Sequence, residues 1–293
     1  MPARTGAEYL RGLRERSAEV WLGNERVHDV TTHPALRRCA RSVAHLYDMQ
    51  HDPALRDEMT YLSPTSGTRV GLSFITPRSL EDLQRRSRMM LHWARYSGGM
   101  LGRSPDYLNV SLMAAAAAAD FYGQNDPRFA DNARNYYTYV RERDLCLTHT
   151  LVNPQANRAL TATGHPSAEI AARIVKETDE GIIIRGARIL ATLGPLSDEI
   201  MVFPSTVLKG RRIRPLSRSP LPFPAIRRGS SSFVARGLTM APHTSITPWA
   251  RALRRWTRSS SSMTYWCRGS GCFSRRTPFC ATSSLPRPTP SST

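Results

Sequence analysis

No aspartate or glutamate occurs after Glu199, so the last third of this 293-residue chain is cationic with nothing to balance it. The chain holds 41 lysines and arginines against 23 acids; 15 of the basic residues, and none of the acids, lie beyond Lys209. Folded surfaces interleave both signs, because a single-sign field repels itself and opposes compaction. Residues 211–293 are also rich in Ser, Pro and Arg without helical or strand periodicity, a composition that cannot bury enough apolar surface to fold. The chain therefore divides into an ordinary, nearly balanced segment to Lys209 and a basic segment expected to be irregular and disordered.

The genetic code offers a reason for the break. Trp256 and Met263 have single codons, and the serines between them leave the third bases free. With suitable, mostly G/C-rich codons, 256–263 read one base earlier is compatible with MDAVVVFD, and the continuation to Cys272 with DVLVPWERV. That text has acids, an apolar β-like run and a turn, which the printed text lacks. A change of reading frame near Gly210 is the expectation.

Only the first 210 residues have the patterning for a core, enough for a helical domain and part of a second. The charged opening MPARTGAEYLRGLRERSAEV has no apolar central run of a signal peptide. The small-residue run 114–119 is too short to span a bilayer. Cytoplasm is the expected location. Of the five cysteines, Cys39 and Cys146 sit in apolar contexts and read as core thiols. Cys267, Cys272 and Cys280 lack zinc-site spacing. The excess charge invites a nucleic-acid reading, but the arginines of 211–293 form no recognisable binding motif.

Along the chain, Thr5 with Glu8 is a capping-box pattern opening a helix with Leu10 and Leu13 on one side. Residues 20–27 read as a hairpin around Gly23-Asn24. Thr32 is placed as the cap of a helix carrying Leu36, Cys39, Val43 and Tyr47. Residues 70–75 read as extended. Ser79 with Asp82 opens a helix that Gly98-Gly99 closes, with Leu80, Leu83, Met90, Leu91 and Ala94 as its apolar stripe. One Ala-rich helix is expected from Tyr107 to Tyr122, with small side chains for close packing, and another over 127–143. Strands are expected at 145–148, 181–184, 189–192 and 200–203, with a mixed stretch over 168–176. Helices followed by strands predict an α+β arrangement with its junction near 144: a helical domain over 1–143, a partial β domain over 144–209 and the basic tail over 210–293.

Two clusters carry chemistry. Arg103-Ser104-Pro105-Asp106-Tyr107 stands where a Gly-rich turn enters a helix, and His149-Thr150-Leu151-Val152-Asn153-Pro154-Gln155 where a strand leaves the helical domain. Taken singly, Arg103 reads as a solvated turn residue, Ser-Pro-Asp as helix-start chemistry and His149 as a hydrogen-bonded structural histidine. In this order they resemble the oxygenase component of the 4-hydroxyphenylacetate 3-hydroxylase family, the two-component flavin-dependent phenol monooxygenases. The opening RTGAEYLRGLRERSAEVWLGNERVHDVTTHPA and the stretches GRSPDYLN, LTHTLVNPQANR and ILATLGPLSDEIMVFPST carry the likeness, from Arg4 to Lys209. It stops where the acids stop, and the out-of-frame DVLVPWERV continues it.

The resemblance implies an acyl-CoA dehydrogenase-like fold with an N-terminal helical domain, a middle β domain and a C-terminal helical bundle, of which this chain keeps the first and half of the second. The bundle closes the flavin pocket and builds the homo-oligomer in the family, so weak flavin binding and no hydroxylation by this chain alone are expected. The implied activity is hydroxylation of 4-hydroxyphenylacetate, or a similar phenol, ortho to its hydroxyl, with reduced FAD and O2, through a flavin C4a-hydroperoxide. The FADH2 comes from a separate reductase component, consistent with the absence of a nicotinamide-binding fingerprint. Arg103, Tyr107 and His149 would surround the phenol hydroxyl, and Ser205 and Thr206 its carboxylate end. His149, Gln155, Ala156, Asn157, Arg158 and Thr192 would contact the flavin. His149 suits a base or hydrogen-bond partner because an ordinary imidazole titrates near neutrality, Arg103 suits a developing phenolate, and Tyr107 orients it.

Three other readings compete for parts of this chain. The related 4-hydroxybutyryl-CoA dehydratases need cluster cysteines near Gly98-Gly99-Met100-Leu101-Gly102-Arg103, where none stands. A basic-tailed binder of nucleic acid or acidic partners would act through 211–293 in a salt-dependent way. A regulatory remnant would co-assemble with an intact paralogue through the helical domain.

Overall fold

A computed structural model describes residues 3–16, 18–101, 103–124, 127–152, 172–178, 181–189 and 191–203, with short strands at 225–226, 230–234 and 263–267. The first helix, α1 (Gly6–Glu15), opens with the expected capping box: Glu8 N donates to Thr5 Oγ1 at 3.2 Å and Thr5 N to Glu8 Oε2 at 2.8 Å. Its buried residues Tyr9 and Leu13 pack on Ala40, Val43, Ala44 and Tyr47 of α2 (Arg37–Asp48). Between them β1 (Glu19–Leu22) and β2 (Glu25–Val27) form the expected hairpin, with Gly23 at φ 62° in its turn. Thr32 does not cap α2, whose N-cap is Leu36. Asp29 captures this stretch instead: its carboxylate accepts from Thr31 N at 2.7 Å, and turns through His33 delay the helix.

After a single turn, α3 (Arg56–Met59), the hairpin β3 (Thr60–Leu62) and β4 (Arg69–Gly71) leads into a 3₁₀ turn at Leu72–Phe74, where an extended run was expected. Helix α4 (Leu80–Ser97) starts and stops as read: Asp82 N donates to Ser79 Oγ at 3.1 Å, and Gly98 closes it at φ 61°. Its apolar stripe is corrected. Leu80 is 71% exposed, and Leu83, Met90, Leu91 and Ala94 also face outward, while Arg86, Met89, Trp93 and Ser97 are buried. Met89 and Trp93 join Leu46, Met59 and Leu72 in one core cluster, and Arg86 donates to the Ser73 carbonyl at 3.4 Å. The partner surface thus turned the helix roughly one residue about its axis from the more apolar stripe.

The Ala-rich segment is two helices rather than one, α5 (Asp106–Ala117) and α6 (Ala119–Gly123), broken at Ala118. Helix α7 (Pro127–Arg143) packs on both, contributing Ala133, Tyr136, Tyr137 and Val140 to a core shared with Phe74, Leu108 and Leu112. The chain leaves α7 through Asp144 at φ 48°, a left-handed conformation uncommon for a residue with a Cβ. Its carboxylate is held there by Gln50 Nε2 at 2.7 Å and Arg4 N at 3.1 Å. The helix-to-strand junction expected near 144 falls at this turn, yet the core crosses it: Cys146, Leu193 and Leu196 pack into the α1–α2 cluster.

Strand β5 (Leu147–Thr150) pairs in parallel with β8 (Glu199–Val202), His149 opposite Met201. Tyr136 and Tyr139 of α7 donate to Glu199 at 2.9 and 3.3 Å, which fixes β8 against the helices. Strands β6 (Arg173–Thr178) and β7 (Gly181–Ile189) form an antiparallel hairpin. The strand read over 189–192 is instead the end of β7 followed by a turn, with Leu193 at φ 65°.

The expectation of an irregular 211–293 is corrected at three places. Ala225–Ile226 (β9) adds to β8, and Ser230–Val234 (β10) and Met263–Cys267 (β11) join β1 to β7 in a six-stranded sheet of order β2-β1-β10-β11-β7-β6.

Candidate functional site

The two clusters separated by some forty residues in sequence meet in space. The turn before α5 carries Arg103, its first turn carries Tyr107, and the middle of β5 carries His149. The Arg103 guanidinium lies 4.4 Å from the centre of the Tyr107 ring, within cation–π range. The Tyr107 and His149 rings are 5.4 Å apart at 37°. Phe203, just past β8, meets the other side of His149 edge-on at 5.4 Å and 85°. Phe203 is the member of this stack that sequence reasoning missed. Its own stretch marks only the end of a strand, and the parallel register of β5 and β8 brings that end beside His149.

The parallel pair explains the imidazole's environment. A strand covered on both faces buries every side chain, and all four residues of β5 are buried. His149 is 7% exposed, and burial followed by the nearby Arg103 charge pushes its pKa from 6.5 down to about 4. This corrects the argument from an ordinary imidazole: at neutral pH His149 is uncharged and accepts or donates a hydrogen bond without a net charge of its own. Tyr107 is 42% exposed and Arg103 is exposed, so the stack runs from solvent into the fold.

The exit of β5 is tied to the end of β7. Thr150 Oγ1 donates to the Ile189 carbonyl at 2.8 Å, Ile189 N to the Val152 carbonyl at 3.0 Å, and Arg188 Nη1 to the Leu151 carbonyl at 3.1 Å. The Thr148 hydroxyl bonds to the carbonyl of Thr192, and Phe203 N donates to the Thr150 carbonyl at 2.9 Å. Thr192 is thereby brought to the strand that carries His149. Arg188 is 3% exposed, its Nε lacks a hydrogen-bond partner, and burial lowers its pKa to about 10. Gln155, Ala156, Asn157, Arg158, Ser205 and Thr206 lie outside the described residues, after Val152 and Phe203 respectively.

Cys39 and Cys146 are free and buried, and burial pushes their thiols up to about 11 and about 12. They are core residues, as expected, and too protonated to act as nucleophiles. No group of three or more His, Cys, Asp or Glu residues able to hold a metal occurs among the described residues. Nor is any described helix long and apolar enough to cross a membrane.

Helices leading into strands over one shared core, with β5 feeding a polar and aromatic cluster, define the N-terminal part of an acyl-CoA dehydrogenase-like fold. An archaeal 4-hydroxybutyryl-CoA dehydratase from N. maritimus shares that fold at a TM-score of 0.71 and 16% identity. More specifically, residues 5–213 match the N-terminal model of 4-hydroxyphenylacetate 3-hydroxylases, and the chain belongs to that family. It is 50% identical over 207 residues to the 4-hydroxyphenylacetate 3-monooxygenase oxygenase component of Thermus thermophilus, covering 71% of this chain and 42% of the relative. The Escherichia coli oxygenase component is 39% identical over 199 residues, covering 68% and 37%. A crystal structure of such a component complexed with FAD and 4-hydroxyphenylacetate superposes with a TM-score of 0.78 at 39% identity, over 94% of this chain and 55% of that one. The chain thus spans about half the length of the relatives it matches.

Proposed function

We propose that this chain belongs to an oxygenase component that hydroxylates 4-hydroxyphenylacetate, or a closely similar phenol, ortho to its hydroxyl. Reduced FAD from a separate reductase component, together with O2, is the oxidant. The convergence of Arg103, Tyr107 and His149, distant in sequence, into one contiguous stack carries this reading. Its relatives bear that activity in their names, and one was crystallised with both FAD and 4-hydroxyphenylacetate.

The residues present suit a flavin dinucleotide. Arg188 is a buried cation with an orphaned Nε and no carboxylate partner among the described residues, which is costly unless an anionic group compensates it. On β7, it donates to the Leu151 carbonyl at the exit of β5; Gln155, Ala156, Asn157 and Arg158, which come later in the sequence than Leu151, would with His149 and Thr192 hold the cofactor. When bound, reduced flavin supplies the oxygen-transfer chemistry, and the protein supplies placement and exclusion of water.

The chain's own groups act on the phenol. Neutral His149 accepts the hydrogen bond of the phenol O–H, which enriches the ring in electron density. Proton transfer outright to an imidazole with a pKa near 4 is uphill, so Arg103 must carry much of the stabilisation of a developing phenolate. Tyr107, held between Arg103 and His149, fixes the direction of approach. Ser205 and Thr206, following Phe203, would receive the carboxylate.

The test is equilibrium quenching of FAD fluorescence by the 293-residue protein, with and without 4-hydroxyphenylacetate; an assay for the catechol product with photoreduced FAD and air should give none from this chain alone. Quenching that substrate strengthens, and that Arg103→Ala weakens, supports the reading. No quenching under any condition sinks it.

A further inference from the structure

Helix α4 buries one face and turns a more apolar one outward. Arg86, Met89, Trp93 and Ser97 are buried, whereas Leu80, Leu83, Met90 and Leu91 are between 42% and 71% exposed. With the exposed Ser87 and Ala94 they recur at helical spacing and form one continuous stripe. Single exposed hydrophobic side chains are ordinary, but four large ones along one helix mark an interaction face. The two ends of the stripe differ in size and in charge. Leu80 stands at the N-terminal end and the small Ala94 at the C-terminal end; exposed Glu81 flanks the first and exposed Arg95 the second, on the same side of the helix.

We propose that the outward stripe of α4 docks a second copy of this chain, the two helices antiparallel about a two-fold axis at Ser87. In that arrangement the same patch serves both copies. Leu80 meets Ala94 of the second copy, Leu83 meets its Met90 and Leu91, and Glu81 stands beside its Arg95, at both ends of the pair. A parallel copy would oppose Glu81 to Glu81 and Arg95 to Arg95, and like charges across an interface repel. Arg88, nearest the axis on the charged side, meets its own copy in either orientation; Glu58 of α3, 4.0 Å away, offsets its charge. The face belongs to the helical part that this chain retains, so the pairing does not call on the C-terminal bundle expected to build the family's oligomer. Residues 80–94 span about 21 Å at 1.5 Å per residue. One helix pair of that length buries less than the roughly 1,200 Å² of a small stable interface. The dimer is accordingly weak and reversible, with a dissociation constant on the order of 10–100 μM.

The experiment is sedimentation equilibrium of the full 293-residue protein from about 2 to about 200 μM at about 0.15 M salt. Leu83→Glu puts a charge in the middle of the stripe; Leu62→Glu, on β3 and equally outward, is the control for a hydrophobic side chain removed elsewhere. Glu81→Arg sets like charges opposite each other at both ends, and adding Arg95→Glu restores the pairing with the signs exchanged. All four positions are exposed, so the variants should keep the wild-type circular dichroism. Expected is a monomer–dimer equilibrium whose dissociation constant rises about tenfold or more in L83E and stays unchanged in L62E. It should rise about threefold in E81R and return to within about twofold of wild type in E81R/R95E. A monomer throughout overturns the proposal and leaves the stripe to the half of the longer relatives that this chain does not span. Equal weakening in L62E and L83E, or a double variant no better than E81R, overturns it as well. Association that L83E leaves intact and about 0.5 M salt abolishes belongs to the basic tail and has the same consequence.

Discussion

Gly6 and Gly12 lie on the same helix and should respond to the same substitution with opposite signs. A Cβ built on Gly6 would sit 2.5 Å from the Ala44 carbonyl oxygen, 2.6 Å from Asp48 Oδ2 and 2.9 Å from the Ala44 carbonyl carbon. Two of those atoms are backbone of α2 and cannot rotate away, and Asp48 is itself held by the Gly6 N–H at 2.7 Å. Forcing a methyl into such a contact costs typically about 1–3 kcal/mol. Against it stands the helix-propensity gain of Gly to Ala, roughly 0.5–1 kcal/mol. The clash wins, for a net loss of about 1–2 kcal/mol, or roughly 2–8 °C in Tm for a domain of this size. At Gly12 the nearest atoms to a new Cβ are 3.7 and 3.9 Å away, at ordinary van der Waals distance. There only the propensity term remains, and Gly12→Ala should stabilise by about 0.5–1 kcal/mol. Thermal denaturation of both variants beside wild type decides the matter. A G6A protein as stable as wild type would refute the close approach of α1 to α2. Destabilisation of both variants alike would refute the division into clash and propensity.

The buried imidazole gives a pH signature. The folded pKa of His149, about 4, lies below the ordinary 6.5, so the folded state resists a proton that the unfolded state accepts. The resulting stability is full above about pH 6.5 and lost as pH falls toward 4, by up to about 3 kcal/mol; His149→Asn should flatten denaturation midpoints over that window. Cys39 and Cys146 should resist a thiol reagent at pH 8 in the native protein and react once it is unfolded, as peptide mass spectrometry would read; rapid native labelling of Cys146 would contradict its burial. Resequencing the gene across codons 208–215 separates two origins of the break: a one-base correction that restores acids downstream makes the tail an artefact, and a confirmed sequence makes the chain a broken oxygenase.

Local signals survived folding because their partners are a few residues away. The capping box at Thr5 and Glu8, the Ser79 cap, the Gly98 stop and the 127–143 helix all stand where the residues place them. Signals that depend on what packs opposite did not. Helix α4 offers two adjacent stripes, and the less apolar one with Arg86, Met89 and Trp93 is buried, because Met59, Leu72 and the Ser73 carbonyl lie against it. Thr32 is a sound capping residue that lost its position to the Asp29 turn. Within the site, Arg103, Tyr107 and His149 were legible as two motifs, whereas Phe203 was not, since nothing in its own neighbourhood distinguishes it.

The sequence by itself determined several helix ends, the change of pattern near residue 144, where acidic residues cease, and which family the first 210 residues resemble. The first three are written in short-range hydrogen bonding, periodicity or composition, and the last in the likeness of whole motifs along the chain. Tertiary structure alone decided that β5 runs parallel to β8, and so that His149 is buried, neutral and flanked by Phe203. It also decided which face of α4 turns outward and that segments of the basic tail pair with β1 and β7. These depend on surfaces brought together from distant parts of the chain, where burial and pairing are settled jointly by both partners and neither stretch of sequence specifies the other.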